Sequence, residues 1–308
     1  MKSLIVNADD FGYSERVNAA VLRAHREGIL TSASLMVAEP GFEEAVALAR
    51  THPTLGVGLH VATTYDHALL PRAEIPALAG SDGKFGHDPF LTGLRYAFSR
   101  PAQTQLRREM EAQFARFAAT GLPWSHADGH QHFHLHPVVW THFLDLCDQY
   151  DVHRIRLPRE SLRAHLRVGG QTPAFNTVAS LVLQVLSRRC LRLLQARRTR
   201  EHKPFFVCDQ VYGNYQTGNM TADYTLRVLE QIQSPVSELY FHPGAPHARL
   251  LPPNQYHDGI EDVELAALLD PAVRVRVEAL SLQLSTYAAA ERNSPDISSE
   301  ESRIEGAK

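Results

Sequence analysis

The chain has 308 residues, of which 44% are hydrophobic and 21% are charged, and its formal net charge at pH 7 is −3. This composition is typical of a globular protein that can bury a large core, and the small net charge points to no special partner. Three scattered cysteines without a CxxC spacing argue against a disulfide framework or a cysteine zinc site. Carboxylates at positions 9 and 10 come too early for a signal peptide, and no apolar run approaches the roughly 20 residues that span a bilayer. We therefore expect a cytoplasmic protein.

The first sixty residues alternate apolar strands with helices. Strands are predicted over 4–8, 31–37 and 56–61, and helices over 15–27 and 42–50. Ser14 can cap the first helix and Gly28 can end it. This alternation predicts βαβ units and a parallel sheet.

The remainder of the chain continues this pattern with two interruptions. Proline and glycine are frequent over residues 62–100, which predicts an insertion over one end of the sheet, and 160–203 forms a second insertion. Further helices are predicted over 104–120, 138–150, 221–233 and 259–288, and strands over 124–130, 153–158, 204–209 and 238–241. We expect one barrel domain over residues 1–290 and a disordered tail over 291–308.

Histidines are concentrated in one short tract. Five of the 17 lie between residues 126 and 136, together with Asp128. In an extended strand His126, Asp128 and His130 would point to one face. Imidazole is the commonest metal ligand in proteins, so the tract predicts a metal site. A histidine-rich surface loop is the alternative, and the apolar, regularly patterned surroundings argue against it.

Polar residues also recur where apolar strands end. They are Asp9, Asp10, His60, His130, Arg156, Asp209 and His242. In a parallel α/β barrel the carboxyl ends of the strands converge on one mouth, where catalytic groups lie. The recurrence therefore strengthens the prediction of a metal site.

The residue types at these strand ends predict hydrolytic chemistry. One aspartate and two histidines leave open positions on a metal for water and substrate. Of the adjacent Asp9 and Asp10, one could bind the metal while the other accepts a proton from that water. Helix capping is the alternative for this pair. His242, before a Pro-Gly turn, could donate a proton or simply pack there. Arg156 could stabilise an oxyanion, orient the base or form a structural ion pair.

Several motifs carry a resemblance to a known family. The sequences Asn7–Gly12, Gly58–His60, Asp128–His134 and Phe241–Gly244 resemble the YdjC-like carbohydrate deacetylases, which include the chitooligosaccharide deacetylases. Further stretches resemble a narrower branch, the hopanoid-biosynthesis-associated deacetylases. They are His25–Met36, His132–Pro137, Arg156–Glu160 and Asp209–Gly213. The likeness runs from about residue 4 to about residue 245.

The resemblance implies an α/β fold, a TIM-like (β/α) barrel that is irregular or seven-stranded, with insertions over its C-terminal face. It implies removal of an N-acetyl group from an amino sugar with a divalent metal, of which zinc and magnesium are favoured over manganese, cobalt and nickel. By position, Asp10, His60 and His130 match the metal ligands.

The resemblance also implies catalytic roles. Asp9 matches the general base and His242 a candidate general acid. In the mechanism that we expect, Arg156 would help to stabilise the oxyanion. Many relatives carry three consecutive histidines where this chain has His130-Gln131-His132. Strand alternation favours His130 as the ligand, and His132 is the alternative.

The segment 152–203 is strongly basic, with twelve Lys or Arg and two acidic residues. Within it, residues 174–200 combine apolar positions at helical spacing with arginines, a pattern of helices that lie in a membrane interface. Packing on the barrel with a solvated basic end is the alternative. Nucleic-acid binding is disfavoured because no aromatic platform accompanies the arginines. A peripheral contact at the inner membrane face would suit the N-acetylglucosaminyl hopanoid that the narrower branch implies.

Three other functions compete with this interpretation. The first is a soluble chitooligosaccharide deacetylase in which the basic helix is structural. The second is a metal-dependent phosphoesterase, which would need bridging carboxylates around a second metal. The third is a non-catalytic sugar- or lipid-binding barrel.

Overall fold

A computed structural model describes residues 2–169, 174–197, 203–244 and 262–293. Its strands are β1 (Lys2–Phe11), β2 (Ser32–Leu35), β3 (Gly56–Val61), β4 (Ala127–Gly129), β5 (Gln210–Tyr212), β6 (Val236–Phe241) and β7 (Leu282–Leu284). Its helices are α1 (Glu15–Glu27), α2 (Phe42–Thr51), α3 (Pro89–Phe98), α4 (Arg100–Ala119), α5 (Pro137–Gln149), α6 (Leu162–Val168), α7 (Ala174–Ala196), α8 (Ala222–Gln231), α9 (Val263–Leu269), α10 (Pro271–Ala279) and α11 (Tyr287–Asn293). A 3₁₀ turn, His130–Leu135, follows β4.

All strand pairings are parallel, as the βαβ alternation predicts. The sheet order is β4-β3-β2-β1-β6-β5, and β7 pairs with the first residues of β1. Single parallel bridges join Ala127 to Ile155 and Arg154 to Phe206, so they link β4 to the segment just before β5. The fold is therefore α/β with a parallel half-barrel sheet of the TIM-like type, which confirms the predicted class.

Strand β1 lies at the centre of the sheet and is buried on both faces. Leu4, Val6 and Ala8 pack into the large core shared with the helices. The alternate residue Ile5 belongs to a second, smaller cluster with Tyr240 and Tyr287. Because side chains alternate along a strand, Asn7 and Asp9 share the inner face of Ile5, towards the carboxyl end where the functional site lies.

Several element predictions were wrong, each for a local reason. Helix α3 lies inside the first predicted insertion, where Asp88 accepts hydrogen bonds from the first turn and Pro89 occupies a position that needs no N–H donor. The strands predicted over 153–158 and 204–209 are reduced to single bridges. The helix predicted over 259–288 is interrupted by β7, whose three residues are too few to show a strand period.

The termini and insertions are covered in part. Helix α11 extends three residues into the predicted tail, and the rest of that tail lies outside the described residues, as do parts of the basic segment at 170–173 and 198–202. Among the helices that the structure describes, none combines the length and apolar character needed to cross a bilayer.

Candidate functional site

Three predicted ligands meet at the carboxyl end of the sheet. Asp10 Oδ1 lies 3.2 Å from His130 Nδ1 and 3.6 Å from His60 Nε2. One ligand atom from each residue lies within 4.8 Å of the other two, and all three residues are buried. We refer to Asp10, His60 and His130 as the Asp10 cluster. It joins residues from β1, from β3 and from the turn after β4, which are far apart in the sequence.

The backbone turn at this site directs His130, and not His132, towards Asp10. Asp10, Gln131 and His132 have φ angles of 65°, 55° and 53°, in the left-handed region that costs a non-glycine residue about 1–3 kcal/mol. The strand ends at Gly129, so His130 reaches Asp10 through the turn and not by strand alternation. His132 points elsewhere, with Nε2 3.3 Å from the Tyr240 hydroxyl.

His126 and Asp128 do share one face, as strand alternation predicts. The Ser34 hydroxyl donates to Asp128 Oδ2 at 3.0 Å and lies 3.0 Å from His126 Nε2. Asp128 Oδ1 lies 2.7 Å from His60 Nδ1, the ring nitrogen opposite the one that faces Asp10. His126 is therefore linked to Asp128 through the Ser34 hydroxyl. Burial lowers the pKa of His126 to about 3, so its imidazole is neutral.

Arg156 is fully buried and holds three carboxylates together. It donates to both oxygens of Asp9 at 2.8 Å, lies 2.7 Å from Asp128 and donates to Glu238 at 2.8 Å. All three guanidinium nitrogens are engaged by these contacts. The geometry therefore favours an orienting role at Asp9 over direct contact with an oxyanion.

The charge of Arg156 decides the ionisation of its partners. Burial alone would raise the pKa values of Asp9 and Asp128, but the attraction of Arg156, helped by His60, outweighs it and holds both below the usual range. Glu238 differs, because burial raises its pKa despite Arg156. Two ionised aspartates, Asp9 and Asp128, thus face the guanidinium beside Asp10.

Two residues that support Arg156, Glu238 and Tyr287, escaped prediction from the sequence. Tyr287 donates a hydrogen bond to Glu238, and the carbonyl of Arg156 lies 3.0 Å from His134 Nε2. The available signal for Glu238 was a charged residue inside an apolar strand, because such a residue is seldom buried without a partner. Tyr287 lies far along the chain and gave no local signal.

His242 follows β6 at the turn that its Pro-Gly sequence predicts. Its N–H donates to Glu264, whose Oε2 also lies 3.7 Å from His242 Nδ1. Burial would lower the pKa of His242, but the pairing with Glu264, with smaller contributions from Asp10 and Asp9, raises it. A histidine in this state is protonated at higher pH than usual.

Asp209 does not join the site. Its carboxylate accepts a hydrogen bond from the N–H of Val236, the first residue of β6, at 2.9 Å. Because β5 begins at Gln210, Asp209 precedes its strand and lies towards the opposite edge of the sheet. The strand predicted over 204–209 placed it at the wrong end.

Glu160 is a buried carboxyl beside the site. Its Oε2 accepts N–H groups of Gly213, Asn214 and Tyr215 at 2.8–3.3 Å. The Tyr240 hydroxyl, which contacts His132, donates in turn to Asn214. Burial raises the pKa of Glu160 to about 7, although the three backbone hydrogen bonds oppose that shift.

Comparison with known proteins places these features in one family. The sequence profile of the YdjC-like proteins matches residues 3–279. A carbohydrate deacetylase from Geobacillus stearothermophilus is 30% identical over 286 residues, which cover 92% of this chain and 96% of the relative. The crystal structure of an Enterococcus faecalis V583 protein, named provisionally for cellobiose-phosphate cleavage, superposes with a TM-score of 0.67 at 22% identity and covers 93% and 98% of the two chains. That likeness shows the fold alone.

Two further relatives match over shorter regions. A carbohydrate deacetylase from Brevibacillus brevis is 44% identical over 151 residues, covering 48% of this chain and 57% of the relative. A chitooligosaccharide deacetylase from Serratia marcescens is 33% identical over 173 residues, covering 56% and 65%. In both, the aligned region spans less than two thirds of the relative.

The raised pKa of Glu160 predicts a pH dependence of stability. An unfolded chain ionises this carboxyl near pH 4.5, whereas the folded protein resists ionisation up to about pH 7. The free energy of unfolding should therefore fall by roughly 3 kcal/mol between these values relative to Glu160→Gln, at about 1.4 kcal/mol per unit. Urea unfolding of both proteins between pH 4.5 and 8 measures this difference in the free energy of unfolding. The exposed Glu278→Gln is the control, and parallel curves for wild type and Glu160→Gln would contradict the prediction.

Proposed function

The chain belongs to the YdjC-like protein family, and we propose that its Asp10 cluster holds a divalent metal with which it removes the N-acetyl group from an N-acetylglucosamine-bearing substrate. The curated relatives are named carbohydrate and chitooligosaccharide deacetylases, which are hydrolytic enzymes. The observation that carries the proposal is the meeting of three buried ligand atoms within 4.8 Å of one another, next to the ionised Asp9.

The residues present fit a divalent cation. One carboxylate oxygen and two imidazole nitrogens suit zinc or magnesium, and also manganese, cobalt or nickel. Burial would lower the pKa of His60, but the surrounding carboxylates of Asp128, Asp9 and Asp10 raise it, so the cavity stabilises positive charge at this position. When bound, the metal supplies a Lewis acid for the acetamide carbonyl and lowers the pKa of water.

In this proposal Asp9 acts as the general base. It is ionised, and the two hydrogen bonds from Arg156 and one from Asn7 fix the direction of its carboxylate. Attack of water on the acetamide carbon requires a nearby group to take up a proton, and Asp9 is the immediate neighbour of the ligand Asp10. Arg156 serves as the residue that positions this base.

His242 is suited to the complementary step. Its raised pKa keeps the imidazolium populated near neutral pH, and Glu264 holds its backbone. The amine leaves from the tetrahedral carbon only when it is protonated, so an imidazolium at the mouth would donate that proton. Water and acetamide then yield acetate and the free amino sugar.

A two-metal phosphoesterase is less well supported. The second group of possible ligands, Asp9, His60 and Asp128, shares His60 with the Asp10 cluster. Its two carboxylates are both paired with Arg156. Arg156 thus provides the positive charge that a second metal would supply, and the complete set of base, ligands and acid also argues against a non-catalytic barrel.

Helix α7 supports a lipid-linked substrate. Four apolar positions of its stripe face solvent: Val178, Leu181, Val182 and Val185 are exposed, with Val185 at 63%. Leu186 of the same stripe packs against the core, and the side chain of Phe175 lies outside the described residues. Arg188, Arg189 and Arg192 follow on the same helix and are also exposed. The alternative of a stripe packed on the barrel is therefore disfavoured. An apolar stripe with a basic end matches the interface of an anionic membrane.

Helix α3 presents a second apolar surface beside the same mouth. Phe90, Leu91, Leu94 and Phe98 are exposed, with Phe98 at 82%. Gly93 of α3 approaches His136, and the charge of Arg189 on α7 helps to lower the pKa of His136 after burial. Both helices thus flank the segment that follows His130. We propose a cytoplasmic enzyme that rests on the inner membrane face and acts on an N-acetylglucosaminyl hopanoid, with soluble chitooligosaccharides as the alternative substrate.

Asp9→Asn should lower kcat by about 10²- to 10⁴-fold, because the amide cannot accept the proton, while metal content stays that of wild type. Acetate release from N-acetylchitobiose and from an N-acetylglucosaminyl lipid, with and without chelator, measures the rate, and elemental analysis measures the metal. Asp10→Asn is the contrast, since it should lose metal as well as activity. An active Asp9→Asn enzyme, or a chelator-insensitive wild type, contradicts the proposal.

Glu264→Gln should move the alkaline limb of the kcat profile to lower pH. A general acid works below its pKa and its contribution is lost as pH rises through that value, so removal of the carboxylate that raises the pKa of His242 shortens the active range. Rate measurements across pH 6–10 test this. An unchanged alkaline limb in Glu264→Gln would exclude His242 as the acid.

Val185→Glu should abolish binding to anionic vesicles, because a carboxylate on the exposed stripe opposes insertion and faces like charge. Sedimentation with phosphatidylglycerol vesicles, at low and high salt, measures the binding. Val275→Glu is a matched control, since Val275 is 62% exposed on α10. If wild type ignores the vesicles and prefers chitobiose, the soluble alternative is supported.

A further inference from the structure

Each imidazole of the Asp10 cluster has a second carboxylate on its far side. His60 presents Nε2 to Asp10 and Nδ1 to Asp128, which lies 2.7 Å away. His130 presents Nδ1 to Asp10 and Nε2 to Asp66, with 3.1 Å between Nε2 and Oδ2. Each ring thus lies between two carboxylates. Both come from the sheet for His60, whereas His130 has one from the sheet and one from the insertion.

We propose that Asp66 is a positioning residue that fixes the ring orientation and tautomer of His130 for metal binding, an inference that rests on the proposed metal-dependent function. A neutral imidazole that offers Nδ1 to a cation carries its hydrogen on Nε2, and Asp66 accepts that hydrogen. Carboxylates in this position orient ligating histidines and strengthen their binding.

Asp66 does not belong to the ligand set itself. Among the described residues, the groups whose ligand atoms approach within 4.8 Å contain Asp9, Asp10, His60, Asp128 and His130, without Asp66. The Asp66 carboxylate faces the ring nitrogen opposite the one that faces Asp10. Its effect on a bound metal therefore passes through His130.

The loop that carries Asp66 is held by buried polar side chains. On one side, Gln113 exchanges two hydrogen bonds with the backbone of Ala62, at 3.0 and 2.7 Å. On the other, Glu109 accepts the N–H groups of Leu69 and Leu70 at 2.8 and 2.9 Å. Glu109 and Gln113 are both buried on α4. The loop is thus anchored on both sides of Asp66.

Two nearer contacts hold the backbone at Asp66. Glu39 accepts the N–H of His67 at 2.9 Å, and the carbonyl of Asp66 accepts the N–H of Phe85 at 2.9 Å. Tyr65, the preceding residue, has a φ of 68°, a conformation that non-glycine residues adopt only when their surroundings hold them there. Asp66 is therefore buried, and a loop that is held by hydrogen bonds on both sides presents it to His130.

Asp66→Ala should weaken metal binding by about 10- to 100-fold, the usual effect of removing such a carboxylate. Competition of the metal-free protein with a chromophoric chelator for Zn²⁺ or Co²⁺ measures the dissociation constant without reference to activity. Asp66→Asn should recover part of the affinity, because its amide oxygen still accepts the hydrogen bond. It also serves if the alanine variant fails to fold. Asp82→Ala, an exposed aspartate in the same insertion, should bind as wild type does.

A double variant separates positioning from general damage to the fold. If Asp66 acts through His130, adding Asp66→Ala to His130→Ala should weaken binding no further, whereas structural damage would add a second loss. Equal affinity in wild type and Asp66→Ala, or an additive double variant, overturns the assignment alone. A wild type that binds no divalent metal overturns both this assignment and the proposed function.

Discussion

The burial of the Arg156 guanidinium is the constraint on which the site depends. A buried cation is costly unless charge and hydrogen bonds compensate it, and Asp9, Asp128 and Glu238 provide that compensation from three different strands. Each contact also serves the chemistry. Asp9 is held ionised, as its proposed role of general base requires, and Asp128 is held as the partner of His60. Removal of Arg156 would leave buried carboxylates unpaired, so the interior of the barrel and the proposed chemistry share one electrostatic arrangement.

The parallel sheet explains why residues so distant in sequence converge. Asp10 lies near the end of β1, His60 lies in β3 and His130 follows β4, all towards the same edge of the sheet. At that edge the regular backbone gives way to left-handed residues at Asp10 and Gln131. Their cost, about 1–3 kcal/mol each, is offset by the packing of the barrel, which fixes the directions of the proposed ligands.

Prediction from the sequence succeeded where the position of a residue relative to the end of its strand determines where it lies in the sheet. Asp10, His60 and His130 each lie near the end of an apolar strand, so a parallel sheet was enough to bring them together. The prediction for Asp209 was wrong because its strand begins one residue later, which puts Asp209 at the opposite edge of the sheet. Asp66 had no such signal, since its direction depends on contacts with α4 and Glu39 that no local pattern encodes.

Helix α7 shows a further limit of periodicity. Val178, Leu181, Val182 and Val185 lie on one side of the helix, and that spacing is identical whether the stripe faces the barrel or the solvent. The choice depends on what else can fill the contact with the barrel. Here Ser187, Cys190 and Leu194 are buried, with Ser187 donating to the carbonyl of Pro158. These residues, together with Leu183, Leu186 and Leu191, already make the contact with the barrel. The valine-rich stripe therefore stays exposed next to the arginines, and the proposed membrane contact rests on this arrangement.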